Sequence, residues 1–293
     1  MNTKNIRANF LLLLAAIIWG FSFTAQRFGM QHVGPFTFNA VRFFLGSLSL
    51  VPFVFIFRNK AEQRLSFYLS GKKLLIPLVI GSTLFIASSL QQIGIQFTTA
   101  GKAGFITGLY VIVVPIMGIF LHHKTSIGTW VGASAAVVGM YMLSIHGSVG
   151  FALGDFLVFI GAFFWAIHVL LVDKFIKQYS AILLACLQFF VCGIFSLLIA
   201  LITEEFIWID IQAAGIPILY AGVMSVGVAF TLQVIAQRHA KPGHTAIILS
   251  LEAVFAALGG WMLLNESLGL KGLIGAGLML IGMLVSQLIP AKQ

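Results

Sequence analysis

The chain contains a series of apolar runs, each bounded by charge, proline or glycine. They cover residues 8–26, 35–57, 74–95, 101–121, 127–145, 153–172, 180–202, 213–235, 244–264 and 271–289. A helix of about 20 residues spans the hydrocarbon core of a bilayer, whereas the strands of a membrane barrel would alternate apolar and polar residues. Because the runs are continuous, they predict an all-α integral membrane protein with ten transmembrane helices, embedded in a lipid bilayer.

The charged residues predict an orientation and exclude a water-soluble protein. Only 9% of the 293 residues are charged, while 60% are hydrophobic. Thirteen Lys and Arg residues fall on the side of the N-terminus, against Arg27, Lys102 and Lys271 on the other side. By the positive-inside rule both termini are cytoplasmic. Topology therefore explains the net charge of +9 without a nucleic-acid partner.

Short segments of the first half recur in the second half at offsets of 142 to 146 residues. WGFSF at Trp19 matches WAIHV at Trp165, and SLQQIGIQ around Gln91 matches TLQVIAQR around Gln233. Each half holds five spans, an odd number, so the second half enters the membrane upside down. The sequence predicts two inverted-topology five-helix repeats, residues 1–147 and 148–293. Secondary transporters with this plan hold their substrate near the midplane, between the repeats.

Glu252 is a carboxylate deep within the ninth apolar run. An ionised side chain there costs at least about 2.5 kcal/mol, so Glu252 requires a partner, a water-filled cavity or a bound proton. Either it makes a structural hydrogen bond between helices, or it is the ionisable element of a transport pathway.

Arg42, in the second run, is the obvious counter-ion for Glu252. Their estimated depths differ by about 10 Å along the membrane normal, which argues against a simple ion pair. We expect groups of the first or third helix, or carbonyls, to satisfy Arg42 in a structural role, and contact with the substrate is the alternative.

Aromatic and polar residues occupy matching positions in several runs. The predicted substrate-contacting residues are Trp19, Ser22, Gln91, Gln92, Tyr110, Trp165, His168, Gln233 and Glu252. Tyr110 is the repeat counterpart of Glu252. His168 is a second candidate for ion coupling, because imidazole titrates near neutral pH. The alternatives are interfacial anchoring for the Trp residues and structural hydrogen bonds for His168 and the amides.

Small residues four positions apart lie within the fifth and tenth runs. They are Gly128 with Gly132, and Gly272 with Ala276. This spacing permits close helix packing, so these ridges either hold the two halves together or form the face of a homodimer. The chain contains no HExxH, GxSxG or P-loop motif and no clustered metal ligands. We therefore expect no catalytic residues, cofactor or metal, and a membrane receptor or scaffold is the alternative to a transporter.

Several motifs resemble those of the EamA branch of the drug/metabolite transporter superfamily. They are WGFSF, AVRFFLG, GKAGFITGLYVIVVP, LEAVFAALGGWMLLNE and GLIGAGLMLIGM, and the resemblance covers nearly the whole chain. The chain departs from the family pattern at Ala253, usually a proline, and at His123 and Lys124, where the family tends to have an acid.

The resemblance implies a carrier of the inner (plasma) membrane, commonly an exporter of amino acids, other small metabolites or drugs. It also implies a central cavity lined by the first, third, fourth, sixth, eighth and ninth helices. The small-molecule substrate stays unidentified at this point. Coupling to protons and facilitated diffusion, including facilitated uptake, are both open alternatives.

Overall fold

The computed structural model describes residues 3–56, 72–122, 125–144, 153–266 and 269–289, and these residues are helical apart from short connections. Eight spans of 21 to 26 residues have a mean hydropathy between 1.7 and 2.6, enough to cross a bilayer. Two shorter apolar helices cover Ile127–Met142 and Leu270–Ser286. The ten predicted spans are confirmed. They form helices because a chain in hydrocarbon must satisfy its backbone hydrogen bonds within each segment.

The first repeat consists of α1 (Thr3–Gly29), α2 (Pro35–Ile56), α3 (Lys72–Ile95), the two-part α4a (Ala100–Gly108) and α4b (Tyr110–Phe120), and α5 (Ile127–Ser144). The second consists of α6 (Leu153–Phe175), α7 (Ala181–Thr203), the composite α8 (Gly215–Ala236), the two-part α9a (Pro242–Leu249) and α9b (Glu252–Leu264), and α10 (Leu270–Leu288). A 3₁₀ turn, Ile176–Gln178, follows α6, and a short helix, Trp208–Ala213, precedes α8.

The helix bundle has two ends, the N-terminal face and the distal face. The N-terminal face holds the start of α1 and the connection between α8 and α9a. The distal face holds the end of α1, the start of α4a and the end of α9b.

The fourth and ninth spans are interrupted at equivalent positions of the two repeats. Leu109 separates α4a from α4b and Leu251 separates α9a from α9b, 142 residues apart as the repeat requires. Both residues have φ near −60° and ψ near −15°, and both donate to the carbonyl three residues back. A short 3₁₀ stretch within a helix commonly marks a functional position. The shared break is direct structural support for the pseudo-symmetry.

The eighth span has a different irregularity. Residues Tyr220–Phe230 are wound as a π-helix, whereas its repeat counterpart α3 is α-helical throughout. π-helical segments are rare and often lie at functional sites. The two repeats therefore share a topology but differ in local conformation.

Glycines bring α5 and α10 into backbone contact. A Cβ atom placed on Gly282 would lie 2.6 Å from the carbonyl oxygen of Gly132, and one placed on Gly139 would lie 2.4 Å from that of Gly275. A Cβ atom on Gly128 would meet the Ile289 carbonyl oxygen at 2.4 Å. The ridge of Gly128 and Gly132 on α5 thus packs against α10 of the same molecule and joins one repeat to the other. It is therefore not available as a dimer face.

This contact predicts different outcomes for two identical substitutions in α10. Gly282→Leu places a side chain against the backbone of α5, so it should lower the free energy of unfolding by about 1–3 kcal/mol, as overpacking does. Gly277→Leu is the matched control, because no atom lies within 4 Å of a Cβ atom placed there. Thermal unfolding in detergent measures both. Equal melting temperatures for the two variants would contradict the proposed packing.

Candidate functional site

A small cavity lies between the two repeats. Its walls come from α1, α2, α3, both parts of α4, α6, α8 and both parts of α9. It is lined by Trp19, Ser22, Phe23, Gln26, Arg42, Gln91, Thr107, Tyr110, Trp165, Val169, Ser225, Phe230, Gln233, Leu249 and Glu252. We call it the central cavity. Its volume is ≈ 40 Å³, which is room for a few water molecules.

The two helix breaks place the central cavity at the middle of the membrane. Tyr110 lies ten residues after Ala100, the first residue of α4a, and Glu252 lies ten residues after Pro242, the first residue of α9a. At 1.5 Å per residue each side chain begins roughly 15 Å from its end of the span. Half the thickness of the hydrocarbon core is also about 15 Å. The hydroxyl and the carboxylate therefore approach the midplane from opposite faces.

Gln91 organises the polar wall on the distal side. Its Nε2 donates to Gln26 Oε1 at 3.3 Å, and its Oε1 accepts from Trp165 Nε1 at 2.8 Å and from Thr107 Oγ1 at 3.4 Å. Gln26 Nε2 in turn donates to the carbonyl and the hydroxyl of Ser22 at 3.1 and 3.2 Å. One amide thus fixes side chains from α1, α4a and α6.

Aromatic rings form the apolar wall around Phe230. The Trp19 ring meets it edge-on at 4.5 Å between centroids, and the Trp165 ring stacks on it at 5.8 Å. Trp19 Nε1 also donates to the Ser225 carbonyl at 3.1 Å, within the π-helical part of α8. Both indoles are therefore held by a hydrogen bond and a ring contact, which gives the cavity a rigid aromatic side.

Four polar atoms on the cavity wall have no hydrogen-bond partner in the described part of the chain. They are Arg42 Nε, the Tyr110 hydroxyl oxygen, Gln233 Oε1 and Glu252 Oε1. The Tyr110 hydroxyl and the Glu252 carboxylate nevertheless lie close enough to interact with each other, although not with the geometry of a normal hydrogen bond. Buried polar atoms are normally paired, since an unpaired one costs about 1–3 kcal/mol. The central cavity therefore offers these groups as partners to a polar molecule.

Arg42 differs from the sequence-based expectation. Its guanidinium carbon lies 4.9 Å from the ring centroid of Phe43 and 5.7 Å from that of Phe38, both on its own helix. Groups of α1, α3 or backbone carbonyls do not satisfy its Nε. Within the described residues Arg42 and Glu252 form no ion pair with each other, as their depths suggested. Both charged groups instead border the same cavity.

The structure brings seven of the nine predicted substrate-contacting residues together on the cavity wall: Trp19, Ser22, Gln91, Tyr110, Trp165, Gln233 and Glu252. His168 and Gln92 are fully buried elsewhere. His168 Nε2 lies 2.8 Å from Gln188 Oε1, and its ring packs edge-on against Trp165 and Phe230. His168 therefore supports the aromatic wall from behind instead of facing the cavity.

Several lining residues were not predicted. Thr107 precedes Tyr110 by three residues and Phe230 precedes Gln233 by three, so helical spacing from the chosen residues would have found both. Gln26 is different, because its spacing from Trp19 and Ser22, at i, i+3 and i+7, puts the three on one helix face and so indicated a lining residue from the sequence. Ser225 carried no signal, because its position depends on the π-helical winding of α8.

A larger cavity, the vestibule, lies at the N-terminal face. Its volume is ≈ 570 Å³, and its lining includes Asn9, Asp173, Arg238, Lys241 and His244. One apolar cluster separates it from the central cavity. In that cluster, Val114 borders the vestibule, whereas Val169 and Leu249 border the central cavity.

Comparisons with known proteins agree with this architecture. The sequence model of the EamA-like transporter family matches residues 6–145 and 152–287, one match in each repeat. A solved crystal structure of a protein 17% identical in sequence superposes with a TM-score of 0.79 over 96% of both chains, which is a likeness of fold.

Relatives of known sequence are similar over almost their whole length. An "Uncharacterized transporter" of Archaeoglobus fulgidus is 31% identical over 289 residues, 97% of this chain and 87% of the relative. "Uncharacterized transporter YoaV" of Bacillus subtilis is 22% identical over 286 residues, 94% of each chain. An "S-adenosylmethionine/S-adenosylhomocysteine transporter" of Chlamydia muridarum is 25% identical over 299 residues, 94% of this chain and 90% of the relative.

The unpaired atoms predict opposite stability effects for two substitutions to methionine. Glu252→Met removes a buried carboxylate with an unpaired oxygen, so the melting temperature in detergent should stay the same or rise. Gln91→Met removes the acceptor of two hydrogen bonds and should lower the free energy of unfolding by about 1–3 kcal/mol. A large loss of stability in Glu252→Met would instead support a structural hydrogen bond for Glu252.

Proposed function

Because the chain belongs to the EamA-like transporter family, we propose that it is a secondary carrier that moves a small, partly polar organic molecule by alternating access. In this proposal the N-terminal face is cytoplasmic, and the molecule lies in the central cavity at the midplane. The family is one of transporters and not of enzymes. The observation that supports the proposal is a cavity between inverted repeats with four unpaired polar atoms on its wall.

The cavity wall suits a molecule that carries both a positive and a negative group. Arg42 offers a guanidinium and Glu252 a carboxylate, while Trp19, Trp165 and Phe230 offer aromatic surface. An amino acid or a related zwitterion has groups that complement each of these. The substrates named for the Chlamydia relative, S-adenosylmethionine and S-adenosylhomocysteine, both contain an α-amino acid group, which agrees with this class.

The volumes of the two cavities support a state in which the central cavity is too small for a substrate. Sites for small molecules usually measure about 300–1,000 Å³. The central cavity, at ≈ 40 Å³, is far below that range, so a substrate enters only after the helices around it separate. The vestibule opens at the N-terminal face, which favours loading from the cytoplasm and therefore export.

Transport by purified protein in proteoliposomes tests the proposal. Liposomes are loaded with a mixed pool of radiolabelled amino acids, and efflux is followed with and without an imposed pH gradient. At least one amino acid should leave faster than from protein-free liposomes, and a response to the gradient would show coupling to protons. If folded protein moves no solute from a broad pool of amino acids and lipophilic cations, a receptor or scaffold becomes the better hypothesis.

Glu252→Gln tests the role assigned to the carboxylate. The amide has nearly the same size but cannot ionise, so it should abolish most transport or its pH dependence while the protein stays folded. The matched control is Glu205→Gln, an exposed acidic side chain at the distal face. Unchanged transport and pH dependence in Glu252→Gln would show that the acid does not take part in the transport cycle.

A further inference from the structure

Ionic contacts close the distal face above the central cavity. Lys102 Nζ of α4a lies 3.3 Å from Asp155 Oδ2 of α6, and Arg27 Nη1 of α1 lies 2.8 Å from Glu266 Oε1, just beyond α9b. Asp155 Oδ1 also accepts from Thr98 Oγ1 at 2.6 Å. The four helices joined in this way all contribute to the cavity wall.

The repeat relates the pair Lys102 and Asp155 to a second pair of residues. The offset between α4 and α9 is 142, as for Tyr110 and Glu252, and takes Lys102 to His244. The offset between α1 and α6 is 146, as for Trp19 and Trp165, and takes Asp155 to Asn9. In the structure His244 Nε2 lies 3.0 Å from Asn9 Oδ1. Two positions selected only by the repeat are thus in contact at the N-terminal face.

Both pairs lie at the same distance from the midplane. Lys102 precedes Tyr110 by eight residues, and His244 precedes Glu252 by eight, roughly 12 Å along each helix. Lys102 is in the first turn of α4a and His244 in the first turn of α9a. His244 and Asn9 line the vestibule, on the route between the N-terminal face and the central cavity.

We propose that the Lys102–Asp155 and His244–Asn9 pairs are symmetry-related gates of the transport pathway, and that each must separate in turn. The proposal rests on the carrier function proposed above. Both gates are closed in this structure, which agrees with the small central cavity.

The two gates differ in chemistry. The distal pair joins an ammonium to a carboxylate that is only 2% exposed, and hydrogen bonds between charged groups are about twice as strong as neutral ones. The N-terminal pair joins an amide to an imidazole, whose Nδ1 lies 3.4 Å from Ser286 Oγ. The contact that closes the N-terminal gate is thus the weaker one. The vestibule lies at the same face of the bundle as this gate.

Labelling of a cysteine in the central cavity tests the gates. Ser22→Cys places the cysteine on the wall of the central cavity. It is introduced into a chain in which Cys186 and Cys192 are replaced by serine, because both are free cysteines that could also react. The probe is a membrane-impermeant methanethiosulfonate carrying trimethylammonium. It is applied to right-side-out vesicles, which present the distal face, and to inside-out vesicles, which present the N-terminal face.

Each gate variant should increase labelling from its own side alone. Asp155→Asn should raise the labelling rate several-fold in right-side-out vesicles, and Asn9→Ala should do so in inside-out vesicles. Glu205→Gln and Gln178→Ala, exposed residues of the two faces that line neither cavity, are the matched controls and should leave both rates unchanged. If Asp155→Asn does not fold, Lys102→Gln removes the other charge of the same pair.

A charge exchange distinguishes a gate from an ordinary structural contact. The double variant Lys102→Asp with Asp155→Lys should restore slow labelling, because the ion pair forms again with its polarity reversed. Labelling rates unchanged in all gate variants would overturn the gates, even if the parent protein transports amino acids. Absence of transport by the parent in proteoliposomes would overturn the carrier function and the gates with it.

Discussion

Hydrocarbon provides no hydrogen-bond partners, so every polar atom within the membrane must find one inside the protein or in a bound solute. The described chain meets this requirement in part through hydrogen bonds between helices, of which the network around Gln91 is the clearest. Sixteen buried side-chain atoms of the described residues have no partner, and four of them, with Arg42 Nε and Glu252 Oε1 among them, line the central cavity, which supports it as a place for a polar solute.

The inverted repeat explains how one site can be opened from two sides. Equivalent breaks at Leu109 and Leu251 bring α4b and α9b to the midplane from opposite faces. The two repeats are not identical in this state, because α8 contains a π-helical segment where α3 is regular, and the vestibule lies at the N-terminal face. In an inverted-repeat carrier such differences between the halves are what distinguish one state from the other.

Apolar run length predicted the ten spans, because lipid imposes it, and the repeat led to seven of the fifteen residues that line the central cavity. The sequence did not separate Gln91 from Gln92, since neighbouring helical residues point about 100° apart and the facing helix decides which one meets the cavity. His168 lies behind the cavity wall next to Gln188 of α7, a partner on another helix that the sequence of α6 does not reveal. The role of Arg42 was predicted from its depth in the membrane alone. Depth does not determine the direction in which a long side chain points.

The central claim is alternating access to a zwitterion site at the midplane, and countertransport tests it most directly. Proteoliposomes are preloaded with an excess of an unlabelled amino acid that the protein moves, and entry of the labelled form is followed over time. The proposed carrier predicts that the label inside rises transiently above its equilibrium value, because each return of the loaded site brings label inward. Entry that only approaches equilibrium, at a rate independent of preloading, would contradict alternating access.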